Sequence, residues 1–273
     1  MGQDQIKEKL LSIEDAPLDF SLVFSGRKSR KVNGLYKPET REIVIHNRNF
    51  DHGDPEAAAN MLLYTAIHEY AHHLHACACG GRLPARAHSS EFWAIFHALL
   101  EKAEAMKVYR DVFAGSPELS QLTETIRQKY LRENGALVKE MGRHLLKASE
   151  LCSAIGVRFE DYVDRMLRIP RAAANAAIKM SSYDLSPETG ADNMRFLAGI
   201  RGADDRKAAE SALLKGKSPD TVKAAIAKKG GAAGEGPLPR LEREKARLER
   251  TIGSLSKRLE EVKKELADAG AGE

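Results

Sequence analysis

The chain reads as an α+β protein: a short sheet packed on one long helix, then an all-helical stretch, then a C-terminal coiled-coil helix. Three observations predict this. Strand-like alternation is confined to residues 19–46. From Pro55 onward apolar residues recur at helical spacing. Residues 241–266 carry an apolar repeat alternating four and three residues apart.

In order along the chain, Ile6, Leu10, Leu11 and Ile13 predict a short helix over 3–14. Phe20, Leu22 and Phe24 alternate with polar residues and predict a strand within 19–25. A basic run follows, Arg27-Lys28-Ser29-Arg30-Lys31. It reads as a solvated turn or as a contact for nucleic acid or an acidic substrate. Val32–Tyr36 and Glu42–His46 pair as a hairpin around Lys37-Pro38-Glu39-Thr40. Asp54-Pro55 opens a long helix, Asp as N-cap and Pro in the first turn. Leu63, Ile67, Tyr70, Ala71 and Leu74 form its packing face. Gly80-Gly81 and Pro84 end it. Phe92, Phe96, Leu99, Leu100 and Ala103 predict a second helix after a loop.

The long helix carries His68-Glu69-Tyr70-Ala71-His72. Residues four apart lie on one helix face, so two imidazoles point the same way. They suit two adjacent corners of a tetrahedral zinc ion. Glu69, next to the first ligand, is placed to act as general base toward a water on that metal. His68, His72 and His75 lie on a stripe apart from the packing face. A catalytic zinc needs a third protein ligand and one open position. His88 is the candidate, in Ala87-His88-Ser89-Ser90-Glu91-Phe92-Trp93, and Glu91 is its rival. His73 and His75 read as supporting or exposed residues, and His46 and His52 as structural ones. Cys77 and Cys79 read as loop residues, since no second cysteine pair completes a site. Tyr36, Tyr64 and Tyr70 are candidates for stabilising an oxyanion, Tyr70 the weakest because it belongs to the packing face.

H-E-x-x-H, a loop, then H-x-x-E-F-W resembles the SprT-like zinc metalloproteases and their small relatives of the YgjP type. The stretch Gly34–His46 is similar to that family's hairpin before the active-site helix. The resemblance spans about residues 15–110. It implies a small zincin-type protease domain over 1–115, with His68, His72 and His88 on Zn2+ and Glu69 as base. It implies a protein or peptide as substrate. The chain departs from the many SprT proteins that carry a four-cysteine zinc ribbon, because it has three cysteines in all.

Composition narrows the classes further. Of 273 residues, 42% are hydrophobic and 30% charged, and the formal net charge is +4. No apolar run approaches membrane-span length, and the N-terminus lacks a signal-peptide pattern. Cys77, Cys79 and Cys152 make no disulfide framework. The expectation is a cytoplasmic protein with no membrane partner.

Residues 116–229 read as a helical domain in which Gly135 and Gly142 interrupt the pattern. Residues 159–167, a turn at Arg168-Ile169-Pro170 and a helix from Arg171 through Met180 resemble helix-turn-helix segments of phage and plasmid regulators. On that likeness Arg165, Arg168, Arg171 and Lys179 face phosphates and Asn175 reaches a base edge, which makes DNA a candidate partner. A plain helical bundle with solvated arginines fits the same residues. Short helices are expected at 194–200, 203–214 and 219–228. Residues 230–237 read as a flexible linker. Leu241, Lys245, Leu248, Ile252, Leu255, Leu259, Val262 and Leu266 then form a heptad seam within 238–269, read as a site of homo-oligomerisation, with docking onto a partner helix as the alternative.

Overall fold

A computed structural model describes residues 1–51, 53–111, 113, 115–232 and scattered positions between 242 and 263. The fold is mostly helical with a small sheet, in keeping with an α+β class. The chain divides into two units, Met1–Ile226 and Ala227–Glu273. Among the described residues, no helix is long and apolar enough to cross a membrane.

The first unit opens with α1 (Gln3–Ile13), which buries Ile6, Leu10 and Ile13. Then come β1 (Ser21–Phe24), β2 (Gly34–Lys37) and β3 (Glu42–Ile45). The sheet order is β1-β3-β2. β2 and β3 form the expected antiparallel hairpin, Gly34 opposite Ile45 and Lys37 opposite Glu42. β1 joins the other side of β3 in parallel, Ser21 opposite Glu42. β1 and β2 are therefore both edges, and the central strand contributes Ile43 and Ile45, each fully buried.

α2 (Pro55–Ala78) begins where Asp54 predicts it: the Asp54 carboxylate accepts from the Ala57 N–H at 2.8 Å. A helix of this length is 36 Å or so from end to end. It lies against the sheet and α1 on one side and against α3 (Ser90–Ala105) on the other. Burial extends well beyond the predicted packing face to Thr65, Glu69, His72, His73 and His75. The separation of a packing face from a histidine face is thus corrected. α3 covers the second face with Phe92, Phe96 and Leu99, all buried. One hydrophobic core, from Ile6 to Tyr109, holds these elements together.

The remainder of this unit is helical. α4 (Pro117–Thr125) passes through a π-helical segment, Ile126–Arg132, into α5 (Glu133–Ala154). α6 (Phe159–Tyr162) and a second π-helical turn, Val163–Leu167, precede α7 (Arg171–Ser182). α8 (Ala191–Ala198) and α9 (Ala203–Leu214) follow, and α10 (Pro219–Ala232) begins within this unit. A second core, built on Leu145, Val163, Ala177, Met180, Leu185, Met194 and Leu197, holds this half.

Two expectations fail here. α5 runs unbroken through Gly135 and Gly142. A Cβ on Gly142 would stand 2.2 Å from the Ala177 carbonyl oxygen, and one on Gly135 2.8 Å from that of Pro187. These glycines are where α7 and the Pro187 turn close onto α5, and that packing outweighs their low helix propensity. The expected linker also starts late, because α10 continues through Ala232; the rest of 230–237 lies outside the described residues. In the second unit Lys245, Leu248, Ile252, Leu259 and Val262 of the heptad seam are helical, and Leu248, Ile252 and Leu259 are exposed. Leu241, Leu255 and Leu266 lie outside the described residues.

Candidate metal centre

Three imidazoles converge between α2 and α3. His68 and His72 are one helical turn apart on α2. His88 sits in the loop just before Ser89, the N-cap of α3, whose hydroxyl accepts from the Phe92 N–H. The Nε2 of His88 is 3.1 Å from the Nε2 of His68 and 3.1 Å from that of His72. One lone pair or one proton cannot serve two linear hydrogen bonds at once. Two nitrogens held by a single tetrahedral metal ion stand about 3.3 Å apart. The trio therefore fits a shared cation better than a hydrogen-bonded cluster, and the three ligand atoms are close enough together to bind a metal ion.

The surroundings keep the two α2 rings neutral and hold the cluster's orientation. Burial, and then the His88 charge, push the pKa of His68 down to about 4. Burial, then His68 and His88, bring His72 down to about 3. Both thus offer a lone pair at neutral pH, as ligation requires. Phe92 stacks on the His72 ring at 4.2 Å between centroids, and Trp93 stacks on His88 at 5.6 Å. Among the described residues the outer nitrogen of His72, Nδ1, is buried without a hydrogen-bond partner.

Glu69 follows His68 on α2 and is buried, 6% exposed. Burial raises its pKa to about 7, against the pull of a hydrogen bond from the Tyr36 main chain. β2 abuts it directly: a Cβ on Gly34 would stand 2.9 Å from Glu69 Cγ and 2.9 Å from Thr65 Cγ2. Glycine in a strand interior signals such close approach, and that is the sequence clue to Gly34. Phe92 was legible as an apolar position but not as the plate beneath His72.

The other candidates separate. Glu91 is not among the converging ligands. Its carboxylate is exposed and held low in pKa, chiefly by the Ser89 hydroxyl. His73 and His75, expected as supporting or exposed residues, are both buried, because α3 and the sheet enclose α2. His73 Nε2 donates to the Leu18 carbonyl at 2.9 Å, so its Nδ1 accepts from the Tyr36 hydroxyl at 3.1 Å. The Tyr36 hydroxyl, pushed up to about 12 by burial, is thus committed to His73. Tyr70 donates to the Glu14 carbonyl at 2.6 Å, and Tyr64 packs edge-on against Phe96. His46 Nδ1 pairs with the Ser25 hydroxyl at 2.9 Å; His52 lies outside the described residues. Cys77 is half-buried, 3.7 Å from His73 Nε2, and Cys79 is the exposed C-cap of α2.

The second constellation sits on α6 and α7. Arg168 turns the chain with φ 54°, and α7 buries Ala174, Ala177 and Met180. Arg171, Asn175 and Lys179 are exposed on the opposite side of α7, and Arg165 and Arg168 are exposed before it. Arg171 is paired with Asp164. Comparison of the chain with protein families, with characterised proteins and with solved structures finds no match to any of them.

Proposed function

We propose that the chain is a zinc-dependent endopeptidase similar to the SprT-like metalloproteases. The observation that carries this reading is a buried carboxylate, Glu69, on the same helical turn as two of three imidazoles with convergent nitrogens. Zinc suits the donor set, since three imidazoles would leave one tetrahedral position for solvent or substrate. A zinc ion held there by His68, His72 and His88 would supply Lewis acidity, lowering the pKa of a water and polarising a carbonyl.

Glu69 supplies the proton chemistry. A carboxyl group with a pKa near the ambient pH can take a proton and give it back. The Tyr36 N–H fixes its direction from β2. That strand also offers a place for substrate. The Asn33 carbonyl accepts from the His46 N–H at 2.8 Å, so pairing alternates with Leu35 and Lys37 toward β3 and with Gly34 and Tyr36 away from it. An extended peptide laid along this edge as an added strand passes beside Glu69.

Hydrolysis of casein by wild-type protein and by Glu69→Gln tests the reading. Loss of about a hundredfold or more in rate, with metal content retained, is the expected result. Equal rates would remove Glu69 from the mechanism.

A second reading is favoured by the one-sided exposure of Arg171, Asn175 and Lys179: a DNA-binding regulator with a structural or sensory metal. The two readings combine in a peptidase acting on DNA-associated proteins. Weaker gel-shift binding by Arg168→Ala and Arg171→Ala supports the DNA contact. Self-association through 238–269 is proposed with either reading.

A further inference from the structure

The two loops beside Glu69 and His88 are both basic. Residues 25–33 lead into Gly34, which touches Glu69. They carry Arg27, Lys28, Arg30 and Lys31 and no acid. Residues 79–89 end on His88 and Ser89, and they carry Arg82 and Arg86 and again no acid. All six cations are exposed. None of them takes part in an ion pair among the described residues, whereas four of the other eight Lys and Arg up to residue 110, Lys7, Lys37, Lys102 and Arg110, are paired. The chain holds 43 Lys and Arg against 39 Asp and Glu; without these six cations it is net acidic, 37 against 39.

The first loop is held in shape. Asn49 Oδ1 accepts from the Ser29 N–H at 2.9 Å, and Asn49 Nδ2 donates to the Ser29 carbonyl at 2.9 Å and to Asn33 Oδ1 at 2.8 Å. Asn47 Oδ1 accepts from the Gly26 N–H at 3.0 Å. These bonds use main chain and the side chains of asparagines, so the guanidinium and ammonium heads are left to solvent. A turn merely solvated has no need of such bracing, and four like charges held together repel one another until an anion arrives.

We infer that these two loops dock acidic peptide segments, which makes stretches rich in Asp and Glu the substrate class of the peptidase proposed above, on which this inference rests. A peptide is favoured over nucleic acid because the first loop runs directly into the β2 edge. There the outward N–H and C=O of Gly34 and the outward C=O of Tyr36, whose N–H is held by Glu69, match an extended polypeptide. The loop adds complementary charge, which sets partner choice and encounter rate.

The test uses full-length protein carrying Glu69→Gln and loaded with zinc, so that ligands persist. Fluorescence anisotropy compares a glutamate-rich peptide, its glutamine analogue and a DNA oligonucleotide of equal charge. The glutamate peptide is expected to bind about tenfold tighter than its analogue. The advantage should vanish when salt shortens the Debye length to about 3 Å. Adding Arg27→Gln, Lys28→Gln, Arg30→Gln and Lys31→Gln should weaken it about tenfold, while Arg27→Lys with Arg30→Lys should preserve it. Equal binding of the two peptides, or binding unmoved by the glutamine changes, overturns the inference. So does displacement of the peptide by the oligonucleotide at lower concentration, which would assign the rim to nucleic acid. Hydrolysis by wild-type protein separates the two levels. Equal cleavage of both peptides keeps the peptidase and overturns the acidic preference. Tight glutamate-peptide binding without any cleavage supports the docking rim and overturns the peptidase.

Discussion

Replacing Gly34 by alanine tests how closely β2 and Glu69 are fitted. The new methyl carbon would lie 2.9 Å from Glu69 Cγ, 2.9 Å from Thr65 Cγ2 and 3.1 Å from Glu69 Oε1. Non-bonded carbons settle at about 3.5–4.0 Å, so each neighbour must retreat by roughly 0.6 Å or more. Neither retreats easily. Thr65 is β-branched, buried, and donates its hydroxyl to the Met61 carbonyl at 3.0 Å. Glu69 is buried, and β2 is paired on its other side with β3. Overpacking of this kind costs about 1–3 kcal/mol, and the reduced freedom of the unfolded chain gives back about 0.4–1 kcal/mol. The net loss of about 1–2 kcal/mol lowers Tm by about 2–8 °C for a unit of this size. The displaced carboxylate also leaves its Tyr36 N–H. Peptide hydrolysis should therefore fall well below wild type while metal stoichiometry stays at one ion per chain or close to it, since the methyl's three nearest atoms belong to Glu69 and Thr65 and to none of the imidazoles. Calorimetry, metal analysis and kcat/KM on one preparation read all three. Wild-type Tm together with wild-type kcat/KM would refute the claim that β2 positions Glu69.

Three further outcomes are expected. His88→Ala should reduce bound zinc by about tenfold or more at fixed free metal; atomic absorption showing full occupancy would exclude His88 as a ligand. Gly142→Ala should destabilise the protein by about 1–3 kcal/mol despite a gain of about 1 kcal/mol in helix propensity, because the methyl meets the main chain of α7; a denaturation midpoint at or above wild type would contradict that crossing. In metal-stripped protein, burial raises Glu69 from 4.5 to about 7. A raised carboxyl pKa means the folded state binds the extra proton, so its contribution to stability falls as pH rises through that window. Glu69→Gln, which mimics the protonated form, should therefore gain on wild type by about 3 kcal/mol between pH 4.5 and 7, and parallel stability curves in urea would disprove it.

Much of the site was legible because its signals are local. Asp54-Pro55 specified where α2 starts, the four-residue spacing put His68 and His72 on one face, and the Gly/Pro-containing loop left His88 free to come back. What stayed hidden depends on contacts distant in sequence. The apolar stripe of α2 shows one packing face; the second is created by Phe92 and Phe96, which arrive more than twenty residues later. The parallel pairing of β1 with β3 leaves no local mark, since alternation fixes which residues face inward but not which neighbour a strand takes. The Tyr36–His73 bond spans 37 residues. Gly135 and Gly142 misled because propensity prices the backbone alone, whereas their value lies in how near α7 and the Pro187 turn can come.

α3 is a rod with two jobs. Its first residues follow His88, and farther along the same rod His97 Nδ1 bonds the Ser218 hydroxyl at 2.9 Å while Glu101 pairs with Lys217. The segment just ahead of α10 is thus fastened to the helix whose first turn follows His88. A cut near residue 115 would remove both of these contacts from α3 while leaving His68, His72 and His88 together in one piece.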